Sequence, residues 1–167
     1  MVEELFGVDF SRCYLATEIL LSRDLEVVIP SLLKNLNRAK KDYGALYFFI
    51  SLLGSIALKS CSLHKEIEDL CLSALSKNWP NFMKFRPIAI YTLMEVFADK
   101  YLEEVPIWLN PIETPFWASR YSCLLSIQDK LERKEIKYHP QIMFRSDNDP
   151  HRFVKAKSCS ISYKYSF

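Results

Sequence analysis

Residues 85–97, FRPIAIYTLMEVF, set an arginine and a proline at the mouth of an apolar run with helical period. The stretch reads as a helix from about Pro87 to Tyr101, proline being tolerated in a first helical turn. Its pattern, Arg86-x-x-Ala89-Ile90-x-x-Leu93, returns 34 residues later as Arg120-x-x-Cys123-Leu124-x-x-Ile127. It also occurs 44 residues earlier as Asp42-x-x-Ala45-Leu46-x-x-Phe49, and 30 before that as Arg12-x-x-Leu15-Ala16-x-x-Ile19. Each copy has a charged residue near a helix start, then an apolar pair, then an apolar residue one turn on. A second helix fits between successive copies. Periods of this size built from helix pairs mark stacked α-helical hairpins, because one hairpin cannot cover both of its apolar sides. An irregular helical bundle is the other reading the pattern allows.

Periodicity predicts helices over most of residues 1–134. The first covers 9–22, with Asp9 or Ser11 as cap. A second covers 24–40, with Pro30 expected to kink it or reset its start. The third spans 43–59 and is apolar on all sides. A fourth follows a Ser62 cap and runs 63–76. NWPNF (78–82) breaks the chain before the opening stretch. A short helix over 102–109 is interrupted by Pro106, and a last one starts from a Thr114 cap with Pro115 and reaches 134. The third, with YGALYFFISLLGSIAL at its heart (43–58), is too short at ~1.5 Å per residue for a ~30 Å hydrocarbon core. A buried helix is therefore expected, and no membrane span.

The chain resembles HEAT-type repeat proteins over about residues 9–134. The likeness rests on KFRPIAIYTLMEVFADKY (84–101) with KNWPNF before it, and on Arg86, Ala89, Leu93, Arg120 and Ile127. Cys123 stands where that pattern has alanine, and Asp42 and the 44-residue spacing depart from a regular array. The resemblance implies a stack of helical hairpins that binds a partner rather than catalyses a reaction.

The last 35 residues differ in character. Residues 133–167 hold 8 Lys/Arg against 3 Asp/Glu, whereas residues 1–132 hold 14 against 17, so a basic tail follows a mildly acidic body. SCSISYKYSF (158–167) alternates polar and apolar positions and predicts a β-strand. QIMFR (141–145) and HRFVK (151–155) around SDNDP predict a hairpin. The fold expected is mainly α, in two parts: a HEAT-like helical domain over 1–134 and a β extension over 135–167 packed on it.

Composition removes several functions. With three glycines in 167 residues, and no GxGxxG, GxxxxGK[ST] or GxSxG, the familiar nucleotide-binding and serine-hydrolase motifs are absent. Five scattered cysteines suit buried thiols in a reducing compartment, and a cytoplasmic location is expected. Cys61, His64 and Cys71 lack the fourth ligand of a tetrahedral zinc site. Glu66 with Asp69, and Asp99 with Glu103, read as solvated helix faces, and His139 and His151 fall in the tail. No catalytic residue, metal or cofactor is assigned.

The function expected is a non-catalytic protein-binding scaffold. Lys84, Arg86 and Arg120, with Arg12 in the matching place, form its predicted contact row, and Arg152, Lys155 and Lys157 a second basic patch. The partner would be acidic and its binding salt-sensitive. The alternative is nucleic acid along the same arginine row, with Trp79, Trp108 and Trp117 as stacking surface. That geometry is similar to the HEAT-like DNA alkylation-repair glycosylases, although no catalytic position of theirs can be matched.

Overall fold

A computed structural model describes residues 1–76 and 82–166, without the side chains of residues 43, 82–84, 142, 144 and 145. The protein is mainly α. A short 3-10 helix, Val2–Phe6, precedes α1 (Phe10–Leu21), α2 (Leu25–Ala39), α3 (Tyr43–Ala57) and α4 (His64–Leu75). Then come α5 (Phe82–Tyr101), α6 (Val105–Trp108), α7 (Trp117–Glu132), α8 (Pro140–Asp147) and α9 (Arg152–Tyr165). The chain divides into two compact units, Met1–Phe85 and Arg86–Phe167, with the boundary inside α5. The NWPNF break falls largely outside the described residues, as does Trp79.

The first unit is built around α3, which packs on α1, α2, α4 and the 3-10 helix Val2–Phe6. This is why its sequence is apolar all round: Leu46, Phe49, Ile50, Leu52, Leu53 and Ile56 are wholly buried. Among the described residues no helix is long and apolar enough to cross a membrane. Aspartates start three of these helices. Asp9 accepts from the amides of Ser11 and Arg12 (2.9 and 3.3 Å), Asp24 from Glu26 (3.0 Å), and Asp42 from Gly44 and Ala45 (3.0 Å each). α4 begins differently from the expectation. Ser60, not Ser62, caps a short 3-10 turn, Cys61–Leu63, that leads into it. Pro30 does not reset the start of α2, which is helical from Leu25 to Ala39 with the proline inside it.

In the second unit α7 packs on α9, and α9 on α8. The helix expected to start from a Thr114 cap starts instead at Trp117. The Thr114 hydroxyl donates to the Ile107 carbonyl (3.2 Å), and the carbonyls of Thr114 and Pro115 are taken by Arg120 (2.6 and 2.9 Å).

The tail corrects the sequence reading. The β hairpin and strand expected over 141–145, 151–155 and 158–167 are α8 and α9, and no strand occurs among the described residues. Two periods compete in this segment. Alternation would bury Cys159 and Tyr163, which are exposed, whereas the helix buries Val154, Ser158 and Ile161 at i, i+4 and i+7. Pro140 at the first position starts α8. Asp147 at its end accepts the Ser158 hydroxyl (2.6 Å), tying the two helices together. Packing on α7 outweighs the β propensity of the tyrosines and isoleucine.

Candidate functional site

The second unit carries a cleft of about 550 Å³ between the end of α5, α6, α7 and the start of α8. Val105, Ile127, Leu131 and Met143 form a buried apolar floor, and Leu102, Pro106 and Ile136 form half-exposed walls. Asp99, Glu103, Glu135, Lys137 and His139 stand exposed at the rim. An apolar basin with a few convergent polar groups at its edge is the usual build of a small-molecule site.

Two local devices shape this cleft. At the end of α7, Lys134 takes a left-handed conformation (φ 58°). The Lys134 amide donates to the Leu131 carbonyl (3.1 Å) and the Glu135 amide to the Lys130 carbonyl (2.9 Å), the pair of bonds that closes a Schellman turn. That turn sends residues 135–139 back along the cleft as its outer wall. At the other side, α5 is broken at Phe97 (φ −132°, ψ 36°). The nearby Glu95 carbonyl accepts from the buried ammonium of Lys130 (3.1 Å), which holds the segment leading to Asp99.

Lys130 also donates to Glu135 (2.7 Å), while Arg133 bridges Glu135 (2.6 Å) and Glu95 (2.7 Å). The Arg133 bond, and after it the Lys130 bond, hold the Glu135 carboxyl down to about 2. The same carboxylates raise the Arg133 guanidinium above its ordinary range. Glu135 is thus a pinned corner of the rim, ionised at neutral pH. Behind it the Tyr91 hydroxyl donates to Asp129 (2.9 Å), and burial first, then that bond, push the phenol up to about 12.

The residues singled out from sequence lie elsewhere. Arg120 is 2% exposed and makes a two-pronged pair with buried Asp149 (2.6 and 2.9 Å). Arg86 is half-buried, its guanidinium lowered by desolvation, and reaches the Thr114 hydroxyl at 3.5 Å. Thr114 therefore brings Arg86 and Arg120 together inside the fold. Arg12, in the first unit, is exposed beside Asp9 (3.7 Å). Arg152 lies over the Phe153 ring (4.8 Å), Lys155 is exposed, and Lys157 donates to Gln128 (2.6 Å). The Lys84 side chain is outside the described residues. None of the described ones lines the cleft. Asp99, Glu103 and His139 were visible in the sequence as charged or titratable residues, but only the fold gathers them. Lys137 and Glu135 had no signal beyond the basic tail. Among the described residues no His/Cys/Asp/Glu group could hold a metal ion.

A "Bilin biosynthesis protein CpeY" from Synechococcus sp. (strain WH8020) is 35% identical over 159 residues, which is 95% of this chain and 38% of that protein. An "Uncharacterized phycocyanin operon protein Y" from Pseudanabaena tenuis (strain PCC 7409) is 27% identical over 129 residues, 77% of this chain and 29% of its own length. The chain spans about a third of the length of these curated relatives. No family model and no solved structure matches it. The similarity to a bilin biosynthesis protein overturns both functions expected from sequence, the non-catalytic scaffold and the nucleic-acid binder. The helix pattern behind them describes how helices pack and carries no information on chemistry.

Proposed function

We propose that this chain is part of an enzyme of bilin biosynthesis and that the cleft of the second unit takes up the pigment. The observation that carries the proposal is the 35% identity over 95% of the chain to a protein named for that process. The cleft suits the ligand. A bilin is an open-chain tetrapyrrole, a long conjugated body with pyrrole N–H donors and two propionate carboxylates. The floor of Val105, Ile127, Leu131 and Met143 matches the body, and a volume of about 550 Å³ falls within the ~300–1,000 Å³ of ligand pockets. Asp99 and Glu103 are acceptors for pyrrole N–H groups, and Lys137 is a partner for a propionate.

The name of the second relative supports a phycocyanin-type protein as the partner, and a cytoplasmic location is part of the same reading. On the fold, the finer arrangement we propose is a short stack of HEAT-like hairpins, a reading supported by α3 packing between its chain neighbours α2 and α4.

Titration of the purified protein with biliverdin, followed by the visible absorption of the pigment, tests the site. Saturable binding is expected, and Leu102→Trp, which fills the cleft from a half-exposed position, should weaken it at least ~10-fold, a loss of about 1.4 kcal/mol. Unchanged affinity in Leu102→Trp, with wild-type stability, would remove this cleft as the pigment site.

A further inference from the structure

A second cleft, of about 480 Å³, opens in the first unit and is chemically unlike the first. Phe6, Phe10, Tyr47 and Phe48 line it. The Phe10 ring lies 4.9 Å from Phe48 and 5.9 Å from Tyr47, and Tyr47 meets Phe48 at 5.4 Å and 85°. The three rings tilt against one another and form a corner rather than a stack. Phe10 is 62% exposed, so the fold leaves an aromatic face open to water there.

The polar members of the lining are acidic or neutral. Asp42 spends Oδ1 on the amides of Gly44 and Ala45, and no hydrogen bond from a described residue reaches its Oδ2. The Cys13 thiol, on the floor, donates a shared hydrogen bond to the carbonyls of Glu4 (3.2 Å) and Gly7 (3.4 Å). Burial raises that thiol, the Gly7 bond lowers it, and Asp9 and Asp42 add to the rise. Among the described lining residues there is no Lys, Arg or His. Two wall positions are glycines, Gly7 and Gly44. A Cβ on Gly7 would come within 3.2 Å of the Glu4 carbonyl oxygen, so a side chain there would crowd the wall.

The Phe10, Tyr47 and Phe48 faces, set beside a carboxylate with an open oxygen, attract a cation carried on an apolar stem. The unit already uses this chemistry once. Arg38 lies 3.8 Å from the Phe6 centroid while pairing with Glu3 at 2.6 Å. We propose that the cleft is a docking pocket for an arginine side chain of a partner protein, its guanidinium between Asp42 and the rings of Phe10 and Tyr47. The site is independent of the pigment cleft of the second unit.

The three glycines make a direct test. Labelled with ¹⁵N-glycine, the protein shows amides from Gly7 and Gly44 in the cleft and from Gly54, buried within α3, as internal control. Titration with N-acetyl-arginine amide should shift Gly7 and Gly44 saturably and leave Gly54 in place. The neutral isostere N-acetyl-citrulline amide should shift none of them. Phe10→Leu, at an exposed position, should weaken binding roughly two- to five-fold, what an exposed cation–π contact is worth. Asp42→Asn, which keeps the α3 cap, should weaken it several-fold. Glycine signals that stay still into the tens of millimolar, equal shifts with citrulline, or full affinity in Asp42→Asn would each overturn the proposal.

Discussion

Arg120 and Asp149 show how one residue's role can invert between sequence and structure. Set at a helix start in a repeated pattern, Arg120 reads as an outward cation. In the fold it is sealed against Asp149, 29 residues away, with Nη1 donating to two carbonyls of the loop before α7. Arg120→Ala would leave a buried carboxylate without its counter-charge. We expect a loss of about 3–5 kcal/mol, read from urea unfolding. Arg120→Lys should also destabilise, because an ammonium lacks the planar fork that meets both oxygens. A loss below about 1 kcal/mol for Arg120→Ala would show that Asp149 finds another partner. Lys134 is the opposite case, a residue whose side chain matters less than its backbone. A left-handed φ of 58° is costly for any residue with a Cβ. Lys134→Gly should therefore stabilise by about 0.5–1 kcal/mol, seen as a higher unfolding midpoint. No sequence signal marked that turn, since the glycine that usually announces it is absent.

At the scale of elements, helix starts were more legible than element type in the tail. Asp9 was readable as a cap, Asp24 as a first residue and Asp42 as a charged residue near a helix start, because an N-cap is a local interaction, complete within three residues. α9 was misread as a strand because its serines, tyrosines and isoleucine carry two periods at once, and only the surface of α7 selects between them. The sign of a surface substitution checks that choice. Ser160 is exposed on α9, so Ser160→Ala should raise stability by roughly 0.5 kcal/mol. In a strand the same change would be neutral or unfavourable. The break of α5 at Phe97 was likewise invisible, since the Lys130 bond to the nearby Glu95 carbonyl comes from another helix.

For the whole molecule, stability in acid gathers the charge network into one measurement. The Glu135 carboxyl is held at about 2, below its ordinary range of ~4.3, by Arg133 and Lys130. A depressed carboxyl stabilises fully above its unfolded value and loses that contribution as pH falls through the folded one. Stability is therefore expected to decline between about pH 4.3 and 2. Glu135→Gln should lower it near neutral pH and flatten that part of the curve, measured by thermal unfolding in a pH series. An unchanged slope would mean the network is screened to insignificance at this half-exposed position.

What the residues alone determined is the helical class, the burial of α3 and the absence of the familiar nucleotide and hydrolase motifs. These follow from periodicity, hydropathy and glycine content, which act over a few neighbouring residues. Tertiary structure alone decided the helical tail, the sealed Arg120–Asp149 pair, and the meeting of Asp99, Glu135, Lys137 and Met143 around one cleft. Those outcomes depend on contacts between residues distant along the chain, whose energies exceed the local preferences that sequence displays.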